Sequence, residues 1–232
     1  MLDVRFAFLP FALLALACTE SVESTDIRTT GIYPEIEVVA NGNGNSKVTV
    51  HLKVGGDDSN TFLDLKGNDK LEATVGDQTK TLDQSGNGYS ASFAEDEEGT
   101  EFIISFTRGG EDDDAPASVV TLPAPFDLEV GVSKASRADD DVEYSWDPAD
   151  DGDIDWEYEG DCVKTRRGST PDDGEHVIAA GSIGTFDSDK DESCTVKLTL
   201  SREQRGTIDP AFTEGGSIVA KHVRSDTFTS NP

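Results

Sequence analysis

The sequence predicts an all-β protein: two antiparallel β-sandwiches in tandem, preceded by an apolar N-terminal segment and a short polar stretch. Three observations carry this. Apolar residues recur at every second position in short runs, the period of a strand with one wet face. Clusters of Gly, Asn and Asp separate the runs, and these residues accept the φ > 0 that tight turns need. Pro123-Ala124-Pro125 then divides the runs into two sets, because closely spaced prolines stiffen a linker and disfavour continued strand pairing.

In chain order, residues 1–17 come first. The uncharged apolar stretch Phe6 to Ala17 falls short of the about 20 residues that a bilayer crossing needs, and it fits the core of a signal peptide. Pro10 and the lack of polar periodicity argue against a buried helix. The run Leu13-Leu14-Ala15-Leu16-Ala17-Cys18 resembles a bacterial lipoprotein signal, in which the cut falls before a cysteine that receives acyl chains. Ala15-x-Ala17 also suits an ordinary signal-peptidase cut, which would leave Cys18 a plain thiol. The resemblance implies an exported protein with Cys18 as lipidation site and the lipid bilayer as a partner. Thr19 stands where an aspartate would favour inner-membrane retention, so the expected address is the outer membrane. Residues 18–30 are polar and aperiodic and read as the lipidated cysteine with a flexible tether.

Residues 31–123 make the first predicted sandwich. Ile32, Ile36 and Val38 share one face. After the turn cluster Asn41–Asn45, Val48, Val50, Leu52 and Val54 alternate with Lys47, Thr49, His51 and Lys53. Further strands are expected at 61–65, 70–76, 89–94, 101–108 and 118–122, an order typical of a sandwich. Residues 124–232 make the second. Phe126 to Val132, then Val142, Tyr144 and Trp146, then Ile154, Trp156 and Tyr158 alternate with polar positions, and that last parity reaches Cys162. Val196, Leu198 and Leu200 share the parity of Cys194. Export permits a disulfide, lipidation of Cys18 would leave these two cysteines as a pair, and both fall on the inward register of their strands. A Cys162–Cys194 bond across the core, beside Trp146 or Trp156, is therefore expected; two buried free thiols are the alternative.

The Pro-led first strand, Trp146 with Pro148 behind it, and the inward cysteine pair resemble immunoglobulin-like and fibronectin-type-III-like modules, in architecture only. Both tryptophans precede Cys162, and Glu192 replaces a tyrosine two positions before Cys194, so strand topology stays open and a jelly roll is possible. No sequence repeat aligns the two halves.

Forty-seven Asp and Glu face 19 Lys and Arg, a net charge of −28. That argues strongly against nucleic acid or anionic lipid head groups as partners and reads as a salt-adapted, hydrated surface. Thermal stability should climb from low salt to about 1 M NaCl, where the Debye length is about 3 Å; a flat or falling melting curve would contradict this. Asp151, Asp153 and Asp155, and again Asp187, Asp189 and Asp191, form D-x-D-x-D runs of hard oxygens that could hold Ca²⁺. Neither matches an EF-hand loop, and solvated acidic turns are the alternative. If a site exists, Ca²⁺ raises the melting temperature beyond what Mg²⁺ achieves; equal effects of the two ions remove it.

No nucleophile elbow, H-E-x-x-H, C-x-x-C or phosphate loop is present, and His51, His176 and His222 lie near no nucleophile motif. The expectation is no enzyme, no catalytic residue and no cofactor beyond a possible Ca²⁺. It is instead a structural, adhesion or assembly protein of the envelope, with an envelope protein or glycan as partner. The alternative is a carbohydrate- or small-ligand-binding module, which would show a tryptophan platform facing solvent.

Overall fold

The computed structural model describes residues 20–232 except 111, 187, 189 and 190. Cys18, the apolar leader, Asp187 and Asp189 lie outside the described residues. β1 (Glu20–Glu23) is followed by two short 3-10 turns. The first half continues through β2 (Ile32–Ala40), β3 (Ser46–Val54), β4 (Thr61–Asp64), β5 (Lys70–Val75), β6 (Gln78–Thr81), β7 (Asp83–Ser85), β8 (Gly88–Phe93), β9 (Glu101–Thr107) and β10 (Ala115–Thr121). The second half contains β11 (Asp127–Val130), β12 (Lys134–Ser136), β13 (Val142–Asp147), β14 (Asp153–Gly160), β15 (Val163–Pro171), β16 (Glu175–Ile178), β17 (Cys194–Arg205) and β18 (Ser217–Asn231).

The protein is all-β, and its two halves repeat one topology. In the first, β2, β3 and β8 pair as one layer and β10-β9-β5-β6 as the other. In the second, β11-β13-β16 face β18-β17-β14-β15. Setting aside the short β1, β4, β7 and β12, the first, second and fifth strands oppose the seventh, sixth, third and fourth in both. The fourth strand thus lies beside the third, unlike the immunoglobulin constant arrangement, where it joins the first, second and fifth. The repeat is invisible to alignment because only parity and turn positions are shared.

The two sandwiches are joined by more than the proline linker. β17 and β18 form a long hairpin whose base lies in the second sandwich and whose far end lies in the first. Ser217–His222 of β18 pair in parallel with Glu35–Ala40 of β2. This fuses a layer of each sandwich into one eleven-stranded sheet. Both smaller sheets pack on the same face of it, because Ile218 and Ala220 share the inward face of Ile36 and Val38, while Val196, Leu198, Leu200 and Phe228 serve the second core. The hairpin tip also bonds β10: Val119 and Thr207 exchange two backbone hydrogen bonds of 2.8 Å. Gly206 allows this approach, since a Cβ there would collide with the Val119 carbonyl. Phe212 stacks on Phe106 with ring centres 6.3 Å apart. Residues placed by sequence in the second unit, Phe212, Ile218 and Ala220, therefore belong to the first core.

Residues 20–30 differ from the expected tether. β1 pairs in parallel with β4, and Ser24 and Thr29 are buried. The cause is Arg108, whose guanidinium donates to Ser24 O, Ile27 O and Thr29 Oγ1 and pairs with Asp69 at 3.1 Å. One buried cation satisfies two carbonyls and a hydroxyl of a segment with few apolar residues to bury, which periodicity cannot reveal.

Candidate functional site

The most organised polar site lies where the hairpin crosses from one sandwich to the other. Arg202 continues the inward parity of Val196, Leu198 and Leu200, so β17 aims a cation into the junction. Its Nε and Nη2 donate to Asp172 Oδ2 and Oδ1 at 2.6 and 2.8 Å, a bidentate pair with side chains 4% and 1% exposed. Nη1 donates to Ala124 O of the linker at 3.0 Å, Nη2 donates to Pro148 O at 2.9 Å, and the guanidinium lies over the Phe126 ring. Asp172 also accepts from Trp146 Nε1 at 2.6 Å, and its backbone bonds Gly152 and Asp150. Arg202 thus ties the hairpin, the linker and the turns after β13 and β15 together. The arrangement holds parts in place; it presents no nucleophile.

His222, opposite Arg202 in the β17–β18 register, is fully buried at this junction. Burial, then Arg224, hold its imidazole well below the ordinary histidine range, at about 4; Arg202 acts the same way, and Asp96 opposes them. The unfolded chain therefore binds the proton more tightly than the fold. Stability from this group is complete above about pH 6.5 and is lost as pH falls towards 4. His222→Leu should flatten that acid limb in urea titrations at pH 7, 5.5 and 4.5; an unchanged limb would assign it to other groups.

The disulfide joins Cys162 and Cys194, with Cα atoms 5.7 Å apart. It does not cross between layers as expected: it links the β14–β15 turn to the first residue of the neighbouring β17, at one end of a single sheet. Cys162 lies in the turn, beyond a register shift after Tyr158 that parity counting passes over. Arg137 donates to Cys162 Sγ and to Glu192 O beside it.

Trp146 is buried under Asp172. Trp156 is half-buried, its ring directed between the layers, stacked on Tyr158 at 6.0 Å and against His176 at 6.2 Å. His176 Nδ1 meets Thr170 Oγ1 at 3.1 Å, and His51 packs edge-on against Phe62 on the outer sheet face. Asp151, Asp153, Asp155 and Asp191 are exposed, and among the described residues no three His, Cys, Asp or Glu gather as a metal would require. Sequence reasoning missed Arg202 and Asp172. The one available signal was an arginine interrupting an inward apolar parity; Asp172 lies in an acidic loop that no periodicity sets apart.

No family model matches the chain, and no curated protein matches it. Among solved structures, a chain of a cytokine receptor complex covers 81% of this chain and 94% of its own, at 15% identity and TM-score 0.28. A two-domain fibronectin type-III segment from chicken tenascin covers 72% of this chain and 90% of its own, at 10% identity and TM-score 0.24. Such overlaps carry no argument about this chain, and the fold class rests on the strand order above.

Proposed function

We propose that the protein is an exported lipoprotein, held by acyl chains on Cys18 at the outer membrane, that serves as a rigid, non-enzymatic structural, adhesion or assembly module of the cell envelope. The observation that supports the rigid-module reading is the shared hairpin with its Arg202–Asp172 lock, which braces two sandwiches against bending at their linker, while the anchor rests on the run Leu13 to Cys18. The orientation of the tryptophans favours it over a sugar-binding module, since Trp146 is buried and the Trp156 ring is directed between the layers. β1 begins at Glu20 and pairs with β4, so residues 20–23 belong to the first sandwich and do not serve as a tether. Acyl burial contributes about 0.8 kcal/mol per CH₂, and several chains are needed for stable hold. Cys18→Ser should move the protein from the membrane to the soluble fraction or block its maturation. A correctly cut Cys18→Ser protein that still fractionates wholly with membrane would refute the anchor.

A further inference from the structure

β15 ends the eleven-stranded sheet and β16 ends the small sheet that faces it, so among the described residues only the segment near Ser182–Gly184 crosses this side of the second sandwich and the rest of the β15 edge is unpaired. Between the two edges lies a cavity of about 190 Å³ lined by Trp156, Tyr158, Arg166, His176, Val177 and Ser182. Val177 is 44% exposed. Trp156 Nε1 is buried without a hydrogen-bond partner. Gly168 makes room for that ring, since a Cβ there would meet Trp156 Cζ2 at 2.5 Å. Among the described residues β15 pairs with β14 alone, and beyond Lys164, whose N–H donates to Gly184 O, its outer edge carries no further backbone bond.

The charge on this edge is opposite to that of the molecule. Lys164, Arg166 and Arg167 place three cations in four positions of a chain whose net charge is −28. Arg167 is 78% exposed and pairs with Glu157 at 3.4 Å. Charged edge residues commonly serve to prevent pairing. That role needs neither an aromatic cavity under the edge nor an orphaned indole N–H.

We propose that this side docks an acidic, extended peptide segment of an envelope partner, which adds as a strand along β15. Main-chain bonds to the β15 edge would give affinity. Alternate side chains would then reach opposite sides: acidic ones to Lys164 and Arg167 on the outer face, and intervening ones into the cavity beside Arg166 and Trp156. A long polyanion or an anionic bilayer is disfavoured by the total charge, whereas a short acidic strand feels the three cations within a Debye length of about 8 Å. The proposal rests on the assembly reading above.

The test uses the full-length protein in detergent and a fluorescein-labelled (Glu-Val)₄ peptide, with (Lys-Val)₄ as its charge-reversed counterpart. Fluorescence anisotropy should show saturable binding of the acidic peptide only, and hydrogen exchange should slow at residues 165–171. Arg166→Ala/Arg167→Ala should weaken binding by about tenfold or more while leaving the melting temperature unchanged. Equal binding of both peptides, or protection elsewhere, overturns the proposal. So does concentration-dependent self-association that the double variant abolishes, which would make a second copy the occupant. If the double variant fails to fold, the two-peptide comparison on the unaltered protein still decides. Failure here with Cys18-dependent anchoring intact would leave the lipoprotein reading standing, and the converse result would remove only the anchor.

Discussion

Arg202→Met destabilises the protein by about 3–5 kcal/mol, the cost of leaving one member of a buried ion pair without its partner. The Asp172 carboxylate, 1% exposed, would keep only the Trp146 indole as a side-chain donor, and the Ala124 and Pro148 carbonyls would lose theirs. Asp172→Asn costs less: the amide retains an oxygen for one donor but repels the second with its own NH₂. Arg202→Met/Asp172→Leu recovers part of the loss, because an apolar pair leaves no buried charge, although the linker carbonyls remain unsatisfied. Urea denaturation of the three variants checks the order. A loss below about 1 kcal/mol for Arg202→Met would mean the pair behaves as a surface ion pair.

Phe212→Ala lowers stability by about 3–5 kcal/mol, as for other buried Phe to Ala changes. Phe212 is 6% exposed and stacks on Phe106 in the first core, although it lies far beyond the linker in the chain. A division at Pro123–Pro125 assigns the damage to the second sandwich; the observed packing assigns it to the first and, through the hairpin, to both. Both tryptophans of the chain sit in the second sandwich, so tryptophan emission reports only that half. Its midpoint should nevertheless shift with Phe212→Ala. An emission midpoint equal to that of the parent protein would show the sandwiches to be uncoupled.

Much of the fold was legible because a half-buried strand writes its face into every second residue. The alternations at Val48–Val54, Val142–Trp146 and Val196–Leu200 became β3, β13 and β17, with every apolar member buried except Val54, which is partly buried at the strand end. The pairing of strands was less accessible. The parity of Ile218, Ala220 and His222 says that one face is inward but not whose core it enters, and parallel pairing of β18 with β2 joins residues at opposite ends of the chain. Residues 20–30 were not legible as part of the fold because what fastens them is a single guanidinium, Arg108, rather than an apolar face. Arg202 and Asp172 were hidden for the same reason. A buried ion pair has no periodic signature, and in a sequence this acidic one more aspartate in a turn attracts no notice.

The β17–β18 hairpin makes the two sandwiches one cooperative unit, and their unfolding should show it. Urea unfolding should be followed on the same samples by tryptophan emission, which reads the second sandwich, and by hydrogen exchange of peptides from β5 and β9, which reads the first. The two midpoints should coincide in the parent protein and move together in Arg202→Met. Protection of β5 and β9 persisting beyond the tryptophan transition, or a shift of only one midpoint in the variant, would contradict it and restore two independent domains on a proline linker.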